Sequence, residues 1–264
     1  MIELIIVGFL GIVLAIMTYK KNLLSLGGSL SVLLMLLLID GFGNWKMVLL
    51  IVWAYLTLSI IDKVFDKKIE ESVEGIHEKS GKRVALQVWV NGGAAVAAII
   101  AWGILKRPSF MIGYIIAIGE AYADSLASDV GVMSTRNPID ICTLKPIKNG
   151  LSGGISILGT GASFLGVVIY TVIALLLINL SVYEGIAVVL VIMSGCLIDS
   201  ILGSRLQVKY ICKKCNMITE KKIHCGEKTA KHKGLIWMDN SMVNLLSNAF
   251  TCLLGVLFFE ILQI

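Results

Sequence analysis

Three carboxylates and a serine lie close together in an apolar stretch that is long enough to cross a bilayer, residues 110–130. Glu120, Asp124 and Ser128 recur at every fourth position, so a helix places them on one face. Asp129 is rotated from Ser128 by about 100° and is expected at the rim of the same helix. Carboxylates at this spacing predict a site for a hard divalent cation, Mg²⁺ or Mn²⁺, which also binds substrate phosphates.

Burial in hydrocarbon makes a purely structural role for these carboxylates costly. An ionised carboxylate inside a bilayer is destabilised by several kcal/mol unless it faces a cavity, a partner or a metal. Ion pairing is the alternative, but no Lys or Arg falls at comparable depth in any predicted span. Asp199 lies at similar depth in a later span. We therefore predict Asp124, Asp129 and Asp199 as metal ligands and Glu120 as a further catalytic carboxylate.

A glycine-rich segment with two lysines leads into the next apolar stretch. Backbone amides at a helix N-terminus, together with glycines that allow close approach, form anion sites. The segment has no Gly-Lys-Ser/Thr ending and is therefore not a Walker A loop. Glycines at this position also serve helix packing, and the acidic helix favours the phosphate interpretation. The predicted phosphate-binding residues, of which Lys145 is also predicted to be catalytic, are Lys145, Lys148, Gly150, Ser152, Gly153, Gly154, Ser156 and Thr160.

Polar residues also cluster at the start of two further apolar stretches. One group repeats every four residues, which a helix places on one stripe, and is expected to bind the acceptor phosphate or the nucleotide base. The other group is expected to close the site. The two groups are Lys79, Arg83, Gln87 and Asn91, and Asp239, Asn240 and Asn244. Since the opposite halves of these stretches are nearly all apolar, the predicted site opens on one side only.

Three of the six cysteines fall in one polar loop with two histidines. Cys212 and Cys215 form a Cys-x-x-Cys pair, which His224, Cys225 and His232 follow. This pattern is typical of tetrahedral zinc, although the adjacency of His224 and Cys225 counts against ligation by both. A reduced, metal-free loop is the alternative interpretation.

Membrane helices must position these residues. The chain of 264 residues is 57% hydrophobic and 16% charged, with a mean hydropathy of +0.87, whereas soluble domains are about 25% charged. Runs of about 20 apolar residues are long enough to span a bilayer. We predict an all-α, polytopic membrane helix bundle of about eight spans. The spans are 2–19, 23–39, 45–61, 84–105, 110–130, 154–180, 184–203 and 240–262.

The positive charges predict the orientation of the bundle. All but Lys46, Lys106 and Arg107 of the 23 Lys and Arg residues fall in loops on one side, which the positive-inside rule assigns to the cytoplasm. We therefore expect a multi-pass protein of the cell membrane with both termini outside and the site facing the cytoplasm. The net charge of +5 is explained by this topology, so membrane lipids are expected partners and nucleic acid is not.

Three segments follow from this pattern. Residues 1–65 form an N-terminal scaffold of three helices, and 66–83 form a cytosolic loop. The start of that loop, 66–73, resembles a short amphipathic helix, for which a solvated charged loop is the alternative. Residues 84–264 form a catalytic bundle of five helices that carries the Cys/His loop at 205–238.

Several motifs together resemble one integral-membrane family, which includes the phytyl phosphate kinase of the tocopherol pathway and is distantly related to the CTP-dependent phytol and dolichol kinases. The motifs are Ala123-Asp124-Ser125-Leu126-Ala127-Ser128-Asp129-Val130-Gly131, Thr143-Leu144-Lys145, Gly150-x-x-Gly153-Gly154-Ile155-Ser156-x-x-Gly159-Thr160, Asp199-Ser200-x-Leu202-Gly203 and Asp239-Asn240-x-x-Val243-Asn244. The resemblance covers the chain from about Lys79 onward. It departs from the family pattern at Asp129, where Glu is expected, and at Ser241, where Asp is expected.

The resemblance implies a CTP-dependent kinase that phosphorylates a polyprenyl monophosphate, namely phytyl, geranylgeranyl or farnesyl phosphate, to the diphosphate with a divalent metal. Two other functions stay open from the residues alone. One is a cation- or proton-coupled secondary transporter, because buried carboxylates and broken helices also serve transport. The other is a CTP-using lipid cytidylyltransferase. The one-sided distribution of polar residues argues against transport, and the released product separates the other two.

Overall fold

The computed structural model describes residues 2–73, 76 and 84–262. These residues form eight helices, which confirms the predicted polytopic helical bundle. The helices are α1 (Ile2–Lys20), α2 (Leu26–Phe42), α3 (Trp45–Val73), α4 (Ala85–Leu105), α5 (Pro108–Gly131), α6 (Ile157–Ile178), α7 (Val182–Arg205) and α8 (Asn240–Leu262). By length and composition, α3 to α8 are able to cross a membrane, while α1 and α2 are shorter apolar helices.

Serine side chains fix the start of several helices. Ser25, Ser156 and Ser181 each accept a hydrogen bond from a backbone amide in the first turn of α2, α6 and α7. Such caps contribute about 1 kcal/mol each. At the other ends, Lys106 and Asn179 adopt left-handed backbone conformations and terminate α4 and α6. The helix boundaries therefore follow from local sequence signals rather than from hydropathy alone.

The central element of the bundle is α5. It contacts α3, α4, α6, α7 and α8, and 67% of its most apolar window is buried within the protein, against 22–39% in the other candidate spans. Two buried tyrosines connect α5 to its neighbours by hydrogen bonds. The Tyr114 hydroxyl donates to the Met47 carbonyl at 2.7 Å, and the Tyr170 hydroxyl donates to the Ile115 carbonyl at 2.8 Å. The helix that carries Glu120, Asp124 and Asp129 is thus surrounded by five helices and hydrogen-bonded to two of them.

The outer helices expose large apolar side chains. Ile5, Leu176 and Leu190 are 65%, 77% and 65% exposed. A soluble protein would leave such surfaces in water, whereas hydrocarbon around a membrane protein solvates them. The exposed apolar surface is therefore consistent with the membrane assignment.

The structure corrects three predicted boundaries. Helix α3 continues to Val73, so its last turns include residues 66–73, which were expected to form a separate surface helix or a loop. Helix α6 begins at Ile157 rather than at 154. Helix α4 begins at Ala85, so the four-residue repeat in the sequence does not establish a helix upstream of it. The rest of the 66–83 segment, apart from Ile76, lies outside the described residues.

Short strands, which were not predicted, order two of the loops. In the loop before α6, β1 (Ile139–Asp140) pairs antiparallel with β2 (Gly154–Ile155). In the loop before α8, β3 (Lys209–Ile211) lies between β4 (Ile218–Thr219) and β7 (Ala230–Lys233). A separate hairpin in that loop consists of β5 (Ile223–His224) and β6 (Glu227–Lys228). These loops are folded, so they can hold side chains in fixed positions.

Candidate functional site

A cavity of about 260 Å³ lies where the C-terminal ends of α5 and α7 meet the N-terminal ends of α6 and α8. The cavity brings together residues that the sequence placed in four separate segments. The predicted site residues that line it are Asp124, Asp129, Gly150, Ser152, Gly153, Gly154, Ser156, Thr160, Asp199, Asn240 and Asn244. The same lining includes Ser128, Asn149 and Ser200. The aspartates and the glycine-rich segment before α6 therefore share one compartment.

Three carboxylates line the cavity and a fourth lies just beneath it. Helix α5 supplies Asp124 and Asp129, and α7 supplies Asp199. Glu120 is not among the residues that line the cavity, and it is only 2% exposed. The charges of Glu120, Asp124 and Asp199 are close enough to interact. Among the described residues that line the cavity, none is Lys, Arg or His.

Two neighbouring residues of α8 hold two of these carboxylates, and sequence reasoning missed both. The Ser247 hydroxyl donates to Asp199 Oδ2 at 2.9 Å. The Asn248 amide donates to Glu120 Oε2 and also to the Ala117 carbonyl. Both side chains are buried. The only available sequence signal was that two polar residues stand in the middle of an apolar helix.

Glu120 keeps one oxygen atom without a hydrogen-bond partner. Within the described part of the chain, no donor reaches Glu120 Oε1, although this atom is buried. Buried carboxylate oxygens normally have a partner, and a missing one calls for an explanation such as an ion. Asn248 Oδ1, which is also buried, likewise has no partner in the described part of the chain. A proton on the Glu120 carboxyl group or a nearby cation would each give Oε1 a partner.

Glycines allow the helices to approach closely around the cavity. A Cβ atom on Gly195 of α7 would lie 2.7 Å from Glu120 Cγ and 2.5 Å from Thr251 Oγ1. A Cβ atom on Gly159 of α6 would lie 2.5 Å from the Ala127 carbonyl oxygen of α5. Any side chain at either position would push the helices apart. The close approach of α7 to α5 and α8 thus depends on Gly195, and the close approach of α6 to α5 depends on Gly159.

Residues 145–156 form a segment that we call the glycine loop. Its strand β2 pairs with β1, and the loop leads to the N-terminus of α6. Ser156 caps this helix by accepting a hydrogen bond from the Gly159 amide at 3.1 Å. Gly150 and Gly153 have φ angles of 86° and 84°, a region that favours glycine. A Cβ atom on Gly153 would lie 2.5 Å from the backbone nitrogen of Ser204. The loop therefore packs directly against the end of α7.

Asp140, which the sequence did not single out, fixes the base of this loop. Its carboxylate accepts hydrogen bonds from the amides of Cys142 and Thr143 and from the Ser204 hydroxyl, at 2.9–3.0 Å. Burial acts to raise the pKa of Asp140, but these hydrogen bonds outweigh it and hold the pKa below its usual range. The carboxylate is therefore ionised and connects the loop to α7.

The loop before α8 holds Ser152 of the glycine loop from two sides. Glu220 Oε1 accepts a hydrogen bond from the Ser152 amide at 2.9 Å, and Lys209 Nζ donates to the Ser152 carbonyl. Lys209 is only 2% exposed. Burial, followed by the neighbouring charge of Lys233, lowers the pKa of Lys209. In the sequence, Lys209 contributed only to the charge pattern that predicts the orientation of the bundle.

Several predicted site residues do not line this cavity. Lys145 and Lys148 are exposed beside it, and Lys148 Nζ contacts Met217 Sδ at 2.8 Å. Asp239 instead caps α8 by accepting a hydrogen bond from the Met242 amide. Lys79 and Arg83 lie outside the described residues.

Gln87 and Asn91, which were predicted to bind the acceptor phosphate or the base, line a different cavity from the one that holds the carboxylates. This second cavity measures about 150 Å³, is mostly apolar and lies among α1 to α5. Its walls include Leu36, Ile51 and Val88. Ser125 of α5 lines both cavities. An apolar compartment and an acidic compartment therefore lie on either side of the same helix.

Four of the five predicted zinc ligands come together. One ligand atom from each of Cys212, Cys215, His224 and Cys225 lies within 4.8 Å of all the others. His232 is exposed on β7 and is not part of this cluster. The adjacency of His224 and Cys225 does not keep them apart, contrary to the concern raised by the sequence.

Comparisons with known proteins agree with the membrane architecture. The chain is 30% identical to Protein PGR of Arabidopsis thaliana, over 91% of both chains. It is 32% identical to an uncharacterized membrane protein of Synechocystis sp., over 46% of this chain and 48% of the relative. It is 39% identical to an uncharacterized membrane protein of Methanocaldococcus jannaschii, over 21% and 24%. No solved structure matches the chain.

The sequence profile of one family spans almost all of the helices described above. This profile, of the integral membrane protein DUF92 family, matches residues 9–252 and therefore includes both cavities and the Cys/His cluster. The chain belongs to the integral membrane protein family DUF92.

Proposed function

We propose that this protein transfers the γ-phosphoryl group of a nucleoside triphosphate, CTP, to a polyprenyl monophosphate such as phytyl, geranylgeranyl or farnesyl phosphate. The observation that carries the proposal is the single cavity in which Asp124, Asp129 and Asp199 meet the glycine loop and the N-terminus of α6. The family is that of an integral membrane protein. The choice of CTP and of a prenyl chain comes from the motif resemblance.

The chemistry of the donor atoms suits a divalent cation, because hard cations such as Mg²⁺ prefer carboxylate oxygens and substrate phosphates. Among the described residues, three or more ligand atoms converge within 4.8 Å only in the Cys/His cluster, so Asp124, Asp129 and Asp199 would hold the ion together with substrate phosphates and water rather than as a closed ligand set. Glu120, one helical turn before Asp124, would lie next to such an ion. When bound, the cation supplies charge neutralisation for the phosphates. The cytosolic orientation of this cavity, with both termini outside, is part of the proposal and rests on the positive-inside rule.

The N-terminus of α6 would bind phosphate through its backbone. The Ser156 side chain satisfies the Gly159 amide, which leaves the first amides of the helix available to a ligand, and the helix dipole favours an anion there. Beside these amides, the glycines of the loop add backbone that carries no side chains. Lys145 and Lys148, at the rim, would attract the negatively charged nucleotide from solution.

The reaction requires no general base. An oxygen of the acceptor phosphate, already anionic at neutral pH, attacks the γ-phosphorus and forms the new P–O bond. The bond from the γ-phosphorus to the β–γ bridging oxygen breaks, and the nucleoside diphosphate leaves. Catalysis of such a step consists of positioning and charge stabilisation. The backbone amides at the start of α6 would supply the positioning and a bound cation would supply the charge stabilisation, and the described residues that line the cavity include no histidine.

The apolar cavity would accommodate the first part of the lipid chain. Its volume of about 150 Å³ is similar to that of an engineered apolar cavity that binds benzene. Because Ser125 lines both cavities, a lipid seated in the apolar one would carry its phosphate towards Asp124 on the same helix. This neighbouring apolar cavity favours a phosphate acceptor with a lipid chain over a water-soluble acceptor.

Filling the apolar cavity is expected to impair use of long-chain acceptors. Val88→Phe adds a bulky ring to the wall of this cavity, and even a one-methylene mismatch in an apolar substrate pocket costs about 1–3 kcal/mol of substrate binding. We expect the KM for geranylgeranyl phosphate to rise about tenfold or more, with a smaller change for a short-chain analogue. Steady-state kinetics with the two acceptors measures the ratio.

The matched control is Leu86→Phe, two residues earlier on the same helix. Leu86 is 64% exposed and does not line the cavity, so this variant should keep both KM values. Equal effects of Val88→Phe on long and short acceptors would contradict the assignment of the tail to this cavity.

A labelled-nucleotide assay separates the proposed kinase from a cytidylyltransferase, and a transport assay tests the third function. The purified protein is incubated with γ-labelled or α-labelled CTP and a panel of isoprenoid monophosphates, with Mg²⁺ or Mn²⁺. A kinase transfers the γ-label to the lipid and releases CDP. A cytidylyltransferase transfers the α-label and releases pyrophosphate. Solute transport by proteoliposomes without nucleotide consumption would favour a transporter. The buried apolar packing of Ile112, Ile115 and Val188 argues against a transport path through the bundle.

A further inference from the structure

We infer that Cys212, Cys215, His224 and Cys225 bind one zinc ion, and that this site fastens the glycine loop at the wall of the acidic cavity. The cluster is separate from the carboxylates and lies in the folded loop between α7 and α8. Three cysteines and one histidine are a common ligand set of structural zinc sites. The geometry, the backbone and the surrounding contacts each support the inference.

The distances between ligand atoms match those of a tetrahedral zinc site. With Zn–S bonds of about 2.3 Å and Zn–N bonds of about 2.0 Å, tetrahedral angles place two sulfurs about 3.8 Å apart and sulfur and nitrogen about 3.5 Å apart. The sulfur atoms of Cys215 and Cys225 are 3.8 Å apart. His224 Nδ1 lies 3.5 Å from Cys215 Sγ and 3.2 Å from Cys225 Sγ. All six cysteines are free thiols, so no disulfide accounts for this convergence.

The backbone of the loop is shaped to bring these side chains together. Cys212 follows β3, and a tight turn, in which the Asn216 amide donates to the Cys212 carbonyl at 2.9 Å, returns the chain towards β4. Cys225 and Gly226 form the two-residue connection between β5 and β6, with φ angles of 52° and 79°. Two-residue hairpins with positive φ at both positions favour Asn-Gly or Gly-Gly. A cysteine in the first position is explained by a requirement for its sulfur.

The metal cluster and the glycine loop are held by the same small sheet. Strand β3 begins with Lys209 and leads to Cys212, while β4 leads to Glu220. Lys209 and Glu220 bind the carbonyl and the amide of Ser152, and Ser152 lines the acidic cavity. The cluster therefore closes one end of the β3–β4 hairpin and the other end holds the cavity wall. A zinc ion would thus act as a structural clamp that positions the glycine loop.

Metal analysis tests the site without reference to catalysis. We expect the full chain, purified without a polyhistidine tag and in reducing buffer, to contain about one zinc per chain by mass spectrometry of the metal. Cys215→Ser and Cys225→Ser should each reduce the content to near zero. Cys142→Ser, which removes a thiol outside the cluster, should leave it unchanged. Zinc absent from the wild-type protein, or retained by both cluster variants, would overturn the inference.

Cobalt provides a readout on the wild-type protein that does not depend on the folding of any variant. Replacement of zinc by Co²⁺ should produce the intense visible and near-ultraviolet bands of a tetrahedral cobalt–thiolate site. A spectrum of octahedral Co²⁺, or an oxidised Cys215–Cys225 disulfide under reducing conditions, would contradict the assignment. Both measurements stand whatever the outcome of the kinase assay, so the two hypotheses can fail separately.

Hydrogen exchange tests the clamp itself. The peptide that contains Ser152 should exchange its amides at least about tenfold faster after zinc removal by a chelator, because the hairpin that holds the amide loses its cross-link. Exchange in α2, which is remote from the loop, should not change and provides the internal control. Loss of zinc without any change in exchange at Ser152 would show that the metal does not hold the loop.

Discussion

Asp124→Asn is expected to reduce phosphoryl transfer by at least about 100-fold, on the scale of about 10²–10³ in kcat that the loss of one preorganised electrostatic group, such as an oxyanion-hole donor, costs. Asparagine keeps the volume of the side chain, so the packing of α5 at the centre of the bundle should persist. The measurement is kcat with γ-labelled CTP and a prenyl phosphate. Folding is checked by gel filtration in detergent and by the thermal midpoint.

Glu184→Gln is the control for this prediction. It removes a carboxylate from the opposite end of α7, the helix that carries Asp199, and glutamine can replace glutamate in the capping box with Ser181. Its activity should remain near that of the wild type. Asp199→Asn should behave like Asp124→Asn, since both carboxylates line the cavity. Turnover by Asp124→Asn within about twofold of the wild type would remove this residue from the active site.

Gly153→Ala is expected to abolish activity and to lower the stability of the protein. Its φ of 84° costs a residue with a side chain about 1–2 kcal/mol. The new Cβ atom would also lie 2.5 Å from the Ser204 backbone, and such overlap adds about 1–3 kcal/mol. The glycine loop must move away from α7 to relieve this overlap, which displaces Ser152 and Gly154 from the cavity wall. Kinetics and the thermal midpoint in detergent report the two effects.

Gly161→Ala provides a matched glycine control on α6. A Cβ atom at this position meets no atom within 4 Å, and alanine in a helix is favoured over glycine by about 0.5–1 kcal/mol. This variant should retain activity and should be equally or slightly more stable. Similar losses in Gly153→Ala and Gly161→Ala would show that the glycine loop has no special role.

The acidic half of the site was predictable because membrane sequences make charge conspicuous. Asp124, Asp129 and Asp199 stand out in spans where hydrocarbon excludes isolated charges, and all three line one cavity. The glycine loop was recognisable from composition. In contrast, the pairing of Asn248 with Glu120 joins helices that are far apart in the sequence. No local pattern predicts such a tertiary contact.

The predicted residues that do not line the acidic cavity were grouped with it for a shared reason. Gln87 and Asn91 were assigned to the site because their spacing continued a four-residue repeat from Lys79 and Arg83. Periodicity identifies a shared face but not the neighbour that the face meets, and this face of α4 meets the apolar cavity. Likewise, clustered lysines were read as phosphate ligands, although the described Lys145 and Lys148 remain at the rim and the buried Lys209 holds the loop.

Binding of Mn²⁺, followed by electron paramagnetic resonance, tests most directly whether the carboxylates hold a cation against the nucleotide. A protein-free sample with the same non-hydrolysable CTP analogue gives the reference, because the analogue itself binds Mn²⁺. Relative to this reference, the wild-type protein and Gly161→Ala should each remove about one further Mn²⁺ per chain from the free-ion signal. Asp124→Asn and Asp199→Asn should leave the signal almost at the protein-free level. Equal Mn²⁺ binding by the wild type and by both aspartate variants would contradict the account.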